Sequence, residues 1–439
     1  MSKILIVGLN FHPEPTGIGK YTGELAAYLA GHGHSVRVIT TPPYYPHWRL
    51  QGNYHAWQYK KEVWQGVEIQ RCPVWVPKKP SGLSRLLHLA SFAVSSLPAL
   101  AAQYFWKPDL VLCMAPTLMN APLTLVIAYL CGSKRWLHIQ DFELDAAMNL
   151  GILPNGNWLN WMTAGVRRFE HALLNCFEHI STISNQMAAH LIEKGVPQNK
   201  ISILPNWVNT DLIFPLVHET NSLRCNLGLC AEHKVILYAG TMSKKQGLAN
   251  LLIAAKHLRD QPQIEFVLCG EGPDRSELEE SAMGLSNLRF LPLQPFENLN
   301  QLLNMADIHI LLQKADVADL VMPSKLSGML ASGKAVIATA YPQTELGRVV
   351  NNTGVLVPPD NPTALAEAIL RLSGSAALRC ELGKLGREYA VRNWDATTIL
   401  NQFEQRLRAM VVDDHLSHDF KQERKHEFAD AVYRRGEVI

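Results

Sequence analysis

Residues 235–258 read VILYAGTMSKKQGLANLLIAAKHL. Val235–Ala239 is a strand, Gly240–Gly247 is a glycine-bounded loop, and Leu248–Leu258 is a helix. The stretch decides the fold because it restarts a pattern that has already run once. Upstream, Lys3–Gly8, Val36–Thr40, Val67–Arg71, Leu110–Met114, Arg135–Ile139, Ile180–Ile183 and Ile201–Leu204 read as strands. The helix Lys20–Ala30 follows the first of them and ends at Gly31 and Gly33. Downstream, Glu265–Cys269, Leu288–Leu291, Ile308–Leu312 and Ala335–Ala338 continue the second series. Strands alternating with helices imply parallel sheets. The fold class is therefore α/β, with two Rossmann-like, doubly wound domains. They are expected at 1–205 and 206–410, with a linker over Pro205–Glu232 and the last helix, near 395–410, crossing back to the first domain. The Pro-, Tyr- and Trp-rich segment Pro42–Lys79 is expected to be irregular apart from Val67–Arg71. Residues 411–439 hold seven acids and five bases with little apolar period, an exposed or disordered tail.

Composition agrees with two domains and narrows the function. A chain of 439 residues is too long for one core. Its 41 basic and 39 acidic residues leave a net charge of +2, which gives no global pull on nucleic acid. The eight cysteines form no CxxC pair and several sit in strand-like runs, so they read as reduced core residues rather than a zinc site. The start, MSKILIVGL, reads as a buried strand and not as a secretory signal, so the expected location is cytoplasmic. Residues 86–106 carry no Asp, Glu, Lys or Arg. They read first as a buried or surface-apolar helix pair, second as peripheral contact with the inner face of the plasma membrane, and last as a true span.

In an open parallel sheet, ligands bind beyond the carboxyl ends of the strands, so the loops there carry the chemistry. After the first strand comes Asn10–Phe11–His12–Pro13–Glu14–Pro15–Thr16–Gly17–Ile18–Gly19. Gly17 and Gly19 at a helix start suit a phosphate. A dinucleotide reading fails, because the second strand ends Val38–Ile39–Thr40–Thr41 with no acid for a ribose. After Arg135–Ile139, the run from His138 to Asp145 packs one imidazole and three carboxylates into eight residues. His138 and Asp141 are the catalytic candidates there, and an imidazole near neutral pH suits a sugar hydroxyl. Lys244 and Lys245 in the Gly240–Gly247 loop suit a diphosphate. Gly270 and Gly272 permit close approach of a base or phosphate, and Ser324 and Lys325 open another helix.

Taken in order, several of these stretches resemble family 4 of the retaining glycosyltransferases, which have the GT-B architecture. They are Thr16–Gly19, Ser184–Gly195 with Pro205–Asn209, Tyr238–Gly247, Gly270–Pro273, Pro323–Lys325, and Gly354–Pro358 with Leu365–Ile369. Thr16–Tyr21, Thr41–Pro46, Leu86–Ser96, His138–Asp141, Lys245–Leu248 and Pro323–Leu326 are further similar to the fucosyltransferase branch that serves colanic acid biosynthesis. The resemblance implies two domains facing across a cleft and a nucleotide-sugar donor, GDP-fucose, transferred with retention to a lipid-linked oligosaccharide. It implies catalysis by leaving-group stabilisation, with Lys245, Gly17–Gly19 and Ser324–Lys325 balancing the diphosphate, and with no cofactor and no required metal. The family's usual Arg and Lys of the first donor loop are Thr241 and Gln246 here, and its ribose-holding Glu is Gly328, for which Glu345 is the substitute candidate. Two other functions share the architecture. A sugar-nucleotide 2-epimerase would yield an epimerised nucleotide sugar rather than a glycoside, and a non-catalytic scaffold would bind the sugar nucleotide without turnover.

Overall fold

The computed structural model describes all residues except 16, 79–81, 116–117, 143–156, 218–220, 230–231, 316–321 and 412–439, with the backbone alone at 157–164 and 245. The tail beyond 411, Glu143, Asp145 and Thr16 lie outside these residues. The chain divides into two compact units. The first holds Met1–Thr182, Ala188–Leu204 and the chain from Leu400 onward; the second holds Ile183–Met187 and Pro205–Ile399.

The first unit is built on an eight-stranded sheet of order β3-β4-β2-β1-β5-β6-β7-β8. Its strands are β1 (Lys3–Gly8), β2 (Ser35–Thr40), β3 (Lys60–Trp64), β4 (Val67–Arg71), β5 (Leu110–Ala115), β6 (Lys134–Ile139), β7 (His179–Thr182) and β8 (Ile201–Ile203). All pairs are parallel except β3 with β4, a hairpin at the edge. β3 corrects the reading of 42–66 as irregular. Its residues are Lys-Lys-Glu-Val-Trp and it needs only one neighbour, so it carries charge outward like a loop. Residues 86–106 belong to one helix, Gly82–Trp106, and not to a pair, despite Pro98 in its interior. Leu5, Val7, Ile39 and Val111 of the sheet pack with Phe92 and Leu100 of that helix and with Ile127 of the helix Ala121–Cys131. The helix at 396–411 completes the unit: Phe403 lies 4.5 Å, centroid to centroid, from Trp136, and Glu404 accepts hydrogen bonds from Tyr28 Oη (3.1 Å) and His34 Nε2 (3.2 Å).

The second unit has a six-stranded, wholly parallel sheet of order β11-β10-β9-β12-β13-β14. The strands are β9 (Lys234–Ala239), β10 (Ile264–Cys269), β11 (Leu288–Leu291), β12 (Ile308–Leu311), β13 (Ala335–Thr339) and β14 (Val355–Val357). β14, only three residues long, escaped the sequence reading. The order places β9 at the centre and reverses direction beside it, where β12 is added on its other side. Ile236, Phe266, Leu268, Ile310 and Ile337 are fully buried between the helices Leu248–His257 and Pro362–Gly374 and their neighbours.

Candidate active site

In the first unit the loop after β1 is organised by Glu14. Its carboxylate is buried and accepts from Asn10 Nδ2 (2.8 Å) and from the backbone N–H groups of Tyr44 (3.0 Å) and Tyr45 (2.9 Å). Burial pushes its carboxyl above the usual range in spite of these donors. The following helix starts at Gly17 rather than Lys20, so Gly17 and Gly19 lie in its first turn. A Cβ built on Gly19 would come 2.7 Å from Glu14 Oε2. The close neighbour of Gly19 is thus a protein carboxylate, where the sequence suggested room for a phosphate.

His138 stands one residue before the end of β6, in register with Ser181 of β7. It is 2% exposed, and its Nδ1 lies 2.9 Å from Ser181 Oγ. Burial pulls its pKa down to about 4. At neutral pH the ring is therefore uncharged, which corrects the expectation of an imidazole poised near 7. It is suited to a neutral hydrogen bond with a hydroxyl and poorly suited to storing a proton. Asp141, two residues past the strand end, is exposed.

In the second unit the loops after β9 and β10 lie backbone against backbone. The Gly240 N–H donates to Cys269 O (2.8 Å), and the Met242 N–H donates to Glu271 O (2.9 Å). A Cβ on Gly270 would fall 2.0 Å from Gly240 O, and one on Gly272 would fall 2.1 Å from Met242 O. What Gly270 and Gly272 admit is the neighbouring loop, so their contact with a base or phosphate would be made through the surface this pairing creates.

Against that pair lies Lys325, the first residue of the helix Lys325–Ala331. A Cβ on Gly240 would meet its Nζ at 1.8 Å. Lys325 Nζ lies 3.4 Å from Tyr238 Oη and 5.0 Å from the centre of the Tyr238 ring. Tyr238 is fully buried, and its hydroxyl donates to Thr241 O (2.6 Å). Burial draws the Lys325 ammonium down to about 8, and among the described residues no carboxylate pairs with it. A desolvated cation with so little compensation is a standing site for an anion. Lys244 is exposed in the short turn Lys244–Gln246, and the side chain of Lys245 is outside the described residues. Lys314, which sequence reasoning missed, brings its Cγ to 3.3 Å from a Cβ built on Gly247. Its signal was its position just past β12, at the same sheet edge. Ser324 is exposed and makes no side-chain cap.

Glu345 has partners of its own. It accepts from the backbone N–H groups of Asn185 (3.0 Å) and Gln186 (3.1 Å), which open the helix Asn185–Glu193. The geometry favours a helix-capping role over the ribose-holding one expected from sequence. Glu345→Ala is expected to cost about 1 kcal/mol of stability, and faster amide exchange confined to the start of that helix would verify it.

The model of the glycosyl transferase 4-like domain matches residues 16–207, and that of glycosyl transferases group 1 matches residues 233–375. A protein of Escherichia coli (strain K12) named as a colanic acid biosynthesis glycosyl transferase, WcaI, is 43% identical over 412 residues, covering 92% of this chain and 100% of its own. The chain belongs to glycosyltransferase family 4. Among solved structures, this glycosyltransferase is similar to the sucrose-phosphate synthase of Thermosynechococcus elongatus, with a TM-score of 0.70 at 19% identity, covering 94% of this chain and 100% of that one. It is also similar to HepE of Anabaena in complex with UDP-glucose, with a TM-score of 0.65 at 16% identity, covering 93% and 100%. Both likenesses place the glycosyltransferase in the GT-B fold.

Proposed function

We propose that this glycosyltransferase moves a sugar from a nucleotide-sugar donor, with retention of configuration, during synthesis of a colanic-acid-type exopolysaccharide. The donor is GDP-fucose and the acceptor a lipid-linked oligosaccharide. The likeness to WcaI over 92% of the chain supports the pathway, and the desolvated Lys325 against the Gly240 loop, with no carboxylate partner among the described residues, carries the chemistry. As the glycosidic bond breaks, charge builds on the diphosphate, and a fixed cation in a dry setting stabilises that charge. Lys244, Lys245 and Lys314 add to the field, so no metal is required. His138, neutral, and Asp141 orient sugar hydroxyls.

Purified protein is mixed with UDP-, GDP- and ADP-sugars in EDTA, and thermal stabilisation and slow donor hydrolysis are recorded. GDP and GDP-fucose should stabilise, with release of fucose. Preference for a UDP-sugar would replace the donor assignment, and an epimerised sugar nucleotide would replace transfer with isomerisation. Absence of any response would move the chain to a scaffold role.

A further inference from the structure

The helix Gly82–Trp106 is long and apolar enough to cross a membrane, yet its two faces serve different purposes. The inner face is built into the first unit. Phe92 and Leu100 are core residues. The polar groups of the helix are also spent there: His88 Nδ1 donates to Trp75 O (2.6 Å), Ser95 Oγ donates to Pro73 O (2.5 Å), and Ser96 Oγ accepts from Asn120 Nδ2 (3.0 Å). A spanning helix would have to abandon all of these contacts. The outer face is the reverse. Leu83, Leu87, Val94, Leu97 and Tyr104 are exposed along it, and Phe105 is 87% exposed. Among the exposed residues of this helix, Arg85 alone carries a charge. The helix Ala121–Cys131, packed alongside, leaves Val126, Tyr129 and Leu130 exposed as well.

The surrounding charge selects the occupant. From Ile69 to Pro108 the sequence has no Asp or Glu, while Lys78, Arg85 and Lys107 are exposed beside or at the ends of the helix. An apolar strip with no acid of its own and with bases at its edges matches a bilayer with anionic head groups, where bases meet phosphates and side chains such as Phe105 enter the acyl boundary. A carboxylate near Trp106, that of Glu68, is paired with Arg37 (2.8 Å). Tyr104 and Tyr129 have the amphipathic rings that favour that depth. A water-facing protein partner would not call for the exclusion of acids.

We infer that the outer face of Gly82–Trp106, with the exposed side of Ala121–Cys131, is a docking surface for an anionic bilayer, on which the helix lies in the plane of the interface without crossing it. This goes beyond the transfer reaction and stands whatever the acceptor is.

The test is flotation of the full chain with vesicles of phosphatidylglycerol and phosphatidylcholine, against phosphatidylcholine alone. The wild type should float with the anionic vesicles, and high salt should weaken the binding. The Val94→Asp/Leu97→Asp variant should bind at least about tenfold more weakly while melting at an unchanged temperature, because both side chains already face solvent. Arg85→Glu/Lys107→Glu should lose the preference for anionic lipid, and it keeps the test decisive if the first variant misfolds. A wild type that stays with the soluble fraction overturns the inference, as do variants that float undiminished. So does a wild-type dimer that the first variant converts to monomer with no vesicle binding by either.

Discussion

Lys325→Met is expected to lower sugar transfer by roughly 10²- to 10³-fold, the range seen when one fixed donor to developing negative charge is removed. The same substitution should raise the melting temperature of the nucleotide-free protein at pH 7. Methionine keeps the unbranched stem that packs on Tyr238 and removes a charge that burial penalises. The sign follows from the depressed pKa. Between about 8, where the native side chain gives up its proton, and its ordinary value of 10.5, the unfolded chain holds more protons than the folded one, so this residue's contribution to stability rises with pH there. The advantage of Lys325→Met in melting temperature should therefore shrink above pH 8. A bound diphosphate supplies the missing counter-charge and restores the proton. Nucleotide binding should take up protons near pH 8 and weaken above it, by up to about tenfold per pH unit. Calorimetry in buffers of different ionisation enthalpy measures that uptake directly. Unchanged turnover in Lys325→Met, with unchanged response to nucleotide, would remove Lys325 from the mechanism.

Gly270→Ala is expected to destabilise the second unit by about 3 kcal/mol or more. Two independent costs combine. The residue has φ +146°, where a side chain is strained, and the new Cβ would fall 2.0 Å from the carbonyl oxygen of Gly240. The clash is with backbone, so no rotamer change relieves it. Moving Gly240 aside would also disturb its contact with Lys325, so nucleotide binding should fall along with stability. A drop in melting temperature on the order of 6–12 °C is expected for a unit of this size. Gly374→Ala is the control, because a Cβ there meets nothing within 4 Å. Equal melting temperatures for the two variants would show that the paired loops yield to the added methyl group.

The strands that sequence made legible are those with central places in their sheets. Val235–Ala239 and Glu265–Cys269 are buried on both faces, so their apolar runs announce them. β3 was hidden because an edge strand can expose Lys60, Lys61 and Val63. Among the site residues, chemistry was legible and environment was not. His138 drew attention by its neighbours in sequence, but its burial against Ser181 depends on a strand 43 residues away. Lys325 was visible as a lysine opening a helix, whereas its desolvation is set by Tyr238, 87 residues earlier. Glu345 looked like a free acid until its partners appeared 160 residues upstream. Each of these features has the same physical source: the charge state or availability of a side chain is decided by what long-range folding places beside it.

Phe403 and Glu404, which rest on Trp136, Tyr28 and His34, impose an order of events on biosynthesis. The ribosome delivers Leu204, the last residue of the first unit's main body, long before it delivers Leu400. At about 5–20 residues per second, the interval is on the order of 10–40 seconds. Through that time the flank of β6 lacks its cover, and all of the second unit except Ile183–Met187 is made in between. The half of the enzyme that is translated first is therefore the half that is finished last.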